Sequence, residues 1–167
     1  SMDAACIWAQ AHILNLQWDM CTYSMGQDMF VSKQIQMTGN WEGSMVAQML
    51  HTLRNHGNST LIDIGGNIGY YALAAAVDGH AVHTFEPVPM NAAMIQSSIM
   101  RNHLQTAIVL HTTALSDHEG EVSMGTDQAN QGGLSHRSNN QWSSTMLPAL
   151  PLDSILQHVA TPIYLKI

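Results

Sequence analysis

The stretch Leu61-Ile62-Asp63-Ile64-Gly65-Gly66-Asn67-Ile68-Gly69-Tyr70-Tyr71 constrains this chain more than any other. A short apolar run, Thr60–Ile64, enters a glycine-rich turn, and Tyr70–Val77, apolar all round, leaves it. A short run without alternation suits a parallel strand covered on both faces, and the segment after it suits a buried helix. Glycines at such a turn let the backbone come close to a ligand, and the helix start beyond them offers amides with no partner in the helix.

The same texture continues on both sides. Met45, Val46, Met49, Leu50 and Leu53 mark an amphipathic helix that Ser44 can cap and Gly57 can end. Ala81–Phe85 is a second strand. Met90, Met94, Ile95 and Ile99 mark a helix entered through Pro87 and Pro89. Ala107–Thr113 is a third strand, Asp153 caps a short helix, and Pro162–Ile167 is a fourth strand. Glu121–Met124 can add a short strand, while the polar residues 125–146 are expected to form a long loop. Strand and helix in alternation predict an α/β fold, a doubly wound parallel sheet of Rossmann-like kind, incomplete after the fourth strand.

Residues 1–40 are expected to form an irregular or helical extension, and residues 41–167 the ligand-binding domain. Within the extension, Ile7, Trp8, His12 and Ile13 fit a helix over residues 4–16, and residues 17–37 read as irregular or hairpin-like.

Composition narrows the partners. The chain has 167 residues and a net charge of −7, with only Lys33, Arg54, Arg101, Arg137 and Lys166 as cations. No run of these could follow a phosphate backbone, so nucleic acid is not expected as a partner. No apolar run reaches the ~20 residues of a membrane span. The N-terminus has no basic start or unbroken apolar stretch, which favours a cytoplasmic location and leaves the compartment otherwise open. Cys6 and Cys21 stand fifteen apart, which fits no zinc spacing, and they read as buried or idle thiols. The ten histidines contain no H-E-x-x-H or H-x-H pattern, so no metal site is expected.

The turn itself selects among ligands. A nicotinamide or flavin site calls for G-x-G-x-x-G. Here Asn67 and Tyr70 stand at the second and third glycine positions, and the spacing is D-x-G-x-x-x-G. An acid at Asp63 disfavours a pyrophosphate and favours a ligand that carries an ammonium group. S-adenosylmethionine has an ammonium and a sulfonium and no phosphate. Glu86, 21 residues after Gly65, ends the second strand where a carboxylate can accept ribose hydroxyls. Two other readings stand beside this one: a nicotinamide-dependent oxidoreductase with an atypical turn, and a non-catalytic binding or interaction module.

IDIGGNIGYYALAAA, HTFEPVPMNAAMI, HTTALSDHEGEV, GGLS, LPLDSIL and YLKI, in this order from about Asp28 to Ile167, resemble the FkbM family of S-adenosylmethionine-dependent methyltransferases. The resemblance implies a class I methyltransferase fold and methylation of a hydroxyl on a sugar, glycan or small metabolite. By position, Asp63, Gly65, Gly66, Asn67 and Gly69 would border the methionine and ribose, and Glu86 would hold the ribose hydroxyls. Ala114, Leu115 and Asp117 would lie near the adenine. Trp41 and Glu42 match the family's W-E pair and would help close the pocket. In the family an acidic D-V-E-G motif follows L-K-I, and this sequence ends at Ile167, so the resemblance implies an incomplete domain. An alcohol acceptor needs a base. Asp117 and His136 are the first candidates, with His118 and His111 behind them, and no single residue is singled out.

Overall fold

The computed structural model describes residues 6–127, 130–135 and 144–167. The chain opens with a hairpin in which β1 (Ile7–Ile13) and β2 (Leu16–Thr22) pair antiparallel from Ile7 opposite Thr22 to Ile13 opposite Leu16. The helix expected over residues 4–16 is therefore a strand. Its apolar positions also satisfy a period of two, with Ala11 and Ile13 facing the core alongside Trp18 and Met20 of β2. Trp8, which supported the helical register, lies 43% exposed under the Arg101 guanidinium. Cys6 and Cys21 form a disulfide that ties the start of the hairpin to β2, which corrects the expectation of idle thiols.

Helix α1 (Val31–Thr38) falls within the stretch expected to be irregular or hairpin-like. The buried Asp28 carboxylate accepts the amide hydrogens of Phe30, Val31 and Ser32 at 3.1, 3.1 and 2.8 Å, satisfying the orphan donors of the first turn. Helix α2 (Gly43–Asn55) follows and buries Val46, Met49, Leu50 and Leu53, the periodic face seen in the sequence.

The central sheet contains β3 (Thr60–Ile64), β4 (Ala81–Phe85), β5 (Ile108–His111) and β10 (Ile163–Lys166) in the order β10-β3-β4-β5, all parallel. Helix α3 (Tyr70–Val77) joins β3 to β4 and α4 (Pro89–Arg101) joins β4 to β5. Every residue of α3 from Tyr70 to Ala76 is buried, because the helix lies between the sheet and the hairpin. Leu61, Val82 and Ile108 supply the sheet's side of one apolar cluster that also takes in Trp18, Met20 and Ile35. The hairpin and α1 thus share a core with the sheet.

A second sheet, of order β6-β9-β7-β8, occupies much of the stretch expected to be a loop. Its strands are β6 (Ala114–Ser116), β7 (Gly120–Asp127), β8 (Asn130–Ser135) and β9 (Ser144–Pro151). The short strand expected over Glu121–Met124 is the middle of β7. The short helix α5 (Asp153–Leu156) then leads to β10. The chain builds β3, β4 and β5 outward on one side, then returns to place β10 on the other side of β3. That reversal is a topological switch point, and open α/β sheets bind ligands at the carboxyl ends of the strands there.

Candidate ligand site at the carboxyl ends of the strands

The glycine turn leaves β3 at the switch point, and its amides are engaged inside the protein. Gly65 N and Gly66 N both donate to the Phe85 carbonyl, at 3.0 and 2.9 Å, and Asn67 N donates to Glu86 Oε2 at 2.7 Å. Three successive donors that could hold a phosphate are therefore turned onto the end of β4. The glycines differ in purpose. A Cβ on Gly66 would stand 2.3 Å from Thr84 Oγ1, so glycine there lets the turn pack on β4. A Cβ on Gly65, at φ +72°, would meet no protein atom within 4 Å, so that residue faces open space. Gly69 caps α3.

Glu86 is 4% exposed and has a hydrogen-bonded setting of its own. Its Oε1 accepts Val88 N at 2.9 Å and Asn91 Nδ2 at 3.3 Å. Asn91 Oδ1 in turn accepts the Tyr23 hydroxyl at 2.7 Å, which links the end of β2 to the glycine turn through α4. Burial pushes the Glu86 carboxyl up to about 7, and the nearby Asp63 charge adds to the rise, against the three hydrogen bonds that favour the ionised form. Burial, with Glu86 and Asp28 nearby, pushes the Tyr23 phenol far above its usual range, so it stays a neutral donor.

Asp63 is fully buried, and the ammonium it meets is the protein's own. Lys166 Nζ lies 2.9 Å from Asp63 Oδ1, 3.0 Å from the Gly65 carbonyl and 3.4 Å from the Ile64 carbonyl. Thr84 Oγ1 reaches Asp63 Oδ2 at 3.3 Å. Strand pairing sets Lys166 directly opposite Asp63, so the carboxylate expected from sequence to favour a ligand's ammonium has a cationic partner within the chain. Nothing in the spacing of two residues more than a hundred positions apart could show that pairing.

Two clefts meet at Gly65. The larger, of about 260 Å³, is almost wholly apolar and has Ile64, Phe85, Pro87, Ala114, Leu115 and Val122 in its wall. The smaller, of about 150 Å³, is more polar and is bounded by Trp41, Glu42, Gly66, Asn67, Tyr71 and Lys166. Glu42 Oε2 accepts the Tyr71 hydroxyl at 2.6 Å, and Lys166 Nζ sits 5.0 Å from the centre of the Tyr71 ring. Burial and the Glu42 carboxylate push the Tyr71 phenol well above its ordinary value.

The structure brings most of the sequence-derived residues to these clefts: Gly65, Ala114 and Leu115 to the larger, and Gly65, Gly66, Asn67, Trp41 and Glu42 to the smaller. Glu86 stands between Phe85 and Pro87 behind the larger wall. Asp117 is not among them. Its side chain is 91% exposed and bonded to His118, which holds the Asp117 carboxyl below its usual range. His111 Nε2 lies 2.9 Å from His83 Nδ1, with the His111 ring stacked on Phe85, and burial lowers the pKa of both imidazoles. His136 lies outside the described residues. Among the described residues no group of three or more His, Cys, Asp or Glu could hold a metal ion, and no helix is long and apolar enough to cross a membrane. Lys166, Tyr71, Tyr23 and Asn91 were not assigned from sequence, and only the last has a local signal, in the segment Glu86-Pro87-Val88-Pro89-Met90-Asn91.

No family model and no curated protein matches the chain. Solved structures do show likeness. One is a SAM-dependent methyltransferase from Agrobacterium tumefaciens, with TM-score 0.47 and 13% identity over 67% of this chain and 34% of that one. A second is Methanocaldococcus jannaschii Trm5 in complex with adenosine, with TM-score 0.44 and 12% identity over 65% and 31%. A third, the M. jannaschii tRNA m1G37 methyltransferase, gives 0.45 and 10% over 70% and 36%. The chain spans about a third of the length of these structures.

Proposed function

We propose that the chain is the cofactor-binding part of an S-adenosylmethionine-dependent methyltransferase acting on a hydroxyl of a sugar, glycan or small metabolite. The observation that carries this reading is the state of the glycine turn. Its first three amides bond to Phe85 and Glu86, so a dinucleotide's pyrophosphate finds neither free donors nor a cationic setting there. What the turn leaves open is a strip along Gly65 between an apolar cleft and a polar, charged one. An adenosine with an amino-acid arm has that division of character.

In this reading Ala114, Leu115 and Phe85 bury the adenine in the larger cleft. Glu86 Oε2, which accepts only the Asn67 amide among the described residues, has a remaining lone pair for a ribose hydroxyl. The methionine arm crosses Gly65 into the smaller cleft. When bound, the cofactor supplies an electrophilic methyl on sulfur. The residues here orient it and exclude water, and displacement in line gains most from such positioning. A small acceptor fits the charge distribution better than a nucleic acid. Arg54 and Arg101 are paired with Asp78 and Asp19, and Lys166 with Asp63, which leaves Lys33 as the unpaired cation among the described residues.

A second reading, a module that binds the cofactor without turnover, has one observation in its favour. Asp117, the first base candidate among the described residues, is exposed and lines neither cleft. The test is transfer of labelled methyl from S-adenosylmethionine to a panel of sugars, glycans and small alcohols. Labelled product from a hydroxyl acceptor supports the enzyme, and tight cofactor binding with no product from any acceptor supports the module.

A further inference from the structure

We propose that Glu42, and not Asp63, is the carboxylate that holds the ammonium of the ligand's amino-acid arm, with Tyr71 as its positioning residue. The inference rests on the methyltransferase reading and deepens it. Three charged groups lie in or behind the smaller cleft: Asp63, Lys166 and Glu42. The first two cancel. Lys166 also donates to the carbonyls of Ile64 and Gly65, so its ammonium is spent on the end of β3 as well as on the Asp63 charge.

Glu42 is different. Its Oε2 accepts the Tyr71 hydroxyl, and Oε1 has no partner among the described residues. The residue is exposed on the cleft wall. Its backbone is left-handed, φ 49° and ψ 39°, at the start of α2, where its carbonyl accepts the amides of Met45 and Val46. A glutamate held in a region that side chains rarely adopt, at the mouth of a cleft, is the kind of local strain that functional sites retain. The smaller cleft therefore carries one uncompensated negative charge beside the Gly65 strip. An arm bearing an ammonium matches it.

The test compares binding of S-adenosylhomocysteine with that of its deaminated analogue, in which a hydroxyl replaces the amino group. The unaltered protein is expected to prefer the amine at least tenfold. Glu42→Gln keeps the shape of the side chain and is expected to erase that preference, weakening the amine at least tenfold while leaving the analogue unchanged. Tyr71→Phe, which frees the carboxylate, is expected to reduce the preference severalfold. Asp63→Asn is expected to change both affinities by the same factor. Binding of the analogue also reports that each variant is folded. A preference that survives in Glu42→Gln and disappears in Asp63→Asn overturns the proposal. An unaltered protein that binds neither compound removes the methyltransferase reading itself, which is a separate outcome.

Discussion

Glu86 Oε2 accepts the Asn67 amide hydrogen at 2.7 Å, so the end of β4 holds the turn that leaves β3. Asn67 itself sits at φ 54°, a left-handed conformation that asparagine tolerates better than most side chains. The carboxylate and the turn are one structure, and a change in either is felt by the other.

Protonation of Glu86 should appear in stability. Its folded pKa, about 7, stands above the ordinary 4.5, so the folded state binds the proton more tightly than the unfolded state. The contribution is complete below pH 4.5 and is lost as pH rises through 7, amounting to about 3 kcal/mol by the size of the shift. Urea unfolding between pH 4.5 and 8 should show the protein losing stability relative to Glu86→Gln, which mimics the protonated group. Parallel profiles for the two would show that Glu86 titrates in its ordinary range.

The two adjacent glycines should fail in different ways. Gly66→Ala drives a Cβ to within 2.3 Å of Thr84 Oγ1, and a clash of that kind should lower stability by about 1–3 kcal/mol. Gly65→Val meets no protein atom near its Cβ but strains the turn at φ +72° and enters the space shared by both clefts, so it should cost stability through the backbone and abolish cofactor binding in the protein that remains folded. Glu86→Ala should abolish binding as well, by removing the ribose acceptor. Thermal melts paired with titration of S-adenosylhomocysteine check all three; full binding by Gly65→Val would place the ligand elsewhere.

The hairpin's disulfide should matter to the whole domain, since β1 and β2 share the core cluster with α3 and the sheet. Closing a loop of this length stabilises by about 3 kcal/mol on chain-entropy grounds. Cys6→Ser, or reduction, should lower the midpoint of unfolding by that order, and a thiol count should find no free cysteine in the unreduced protein. A disulfide forms and persists under oxidising conditions. Expression with and without an oxidising environment should therefore differ in yield of cooperatively folding protein.

Trp18 is 2% exposed and packs on Tyr70 with ring centres 5.2 Å apart, while its indole nitrogen has no hydrogen-bond partner among the described residues. Trp18→Ala should cost about 3–5 kcal/mol through the cavity it leaves. Trp18→Phe should cost far less, because it keeps the ring contact and removes a buried donor without an acceptor. Equal losses in chemical denaturation would mean that the indole nitrogen, and not ring packing, carries the contact.

How far the residues alone reveal this protein depends on how local each signal is. Thr60–Ile64, Ala81–Phe85 and Tyr70–Val77 stand where the apolar runs set them, because a doubly covered strand and a buried helix need no partner to be recognised. The hairpin was hidden because Ile7, Trp8, His12 and Ile13 satisfy a helical period as well as an alternating one, and its turn at Leu14 and Asn15 contains no glycine. Strand β9 was hidden among Ser, Thr and Pro, residues that fit a loop equally well, and it forms by pairing with β7. The same division runs through the site. Gly65 and Glu86 were read from the local strand and turn pattern, and Ala114 and Leu115 came from the family resemblance; three of these line the larger cleft and Glu86 stands behind it. Lys166, Tyr71 and Tyr23 act on Asp63, Glu42 and Asn91 across the fold, and only tertiary packing joins them.

The central claim is that the Gly65 turn is built for a phosphate-free nucleoside with an amino-acid arm. Isothermal titration of the 167-residue chain with S-adenosylhomocysteine and, separately, with NAD measures this directly. The first should bind saturably and one-to-one, and the second should give no heat. Tight binding of NAD with no response to S-adenosylhomocysteine would contradict it.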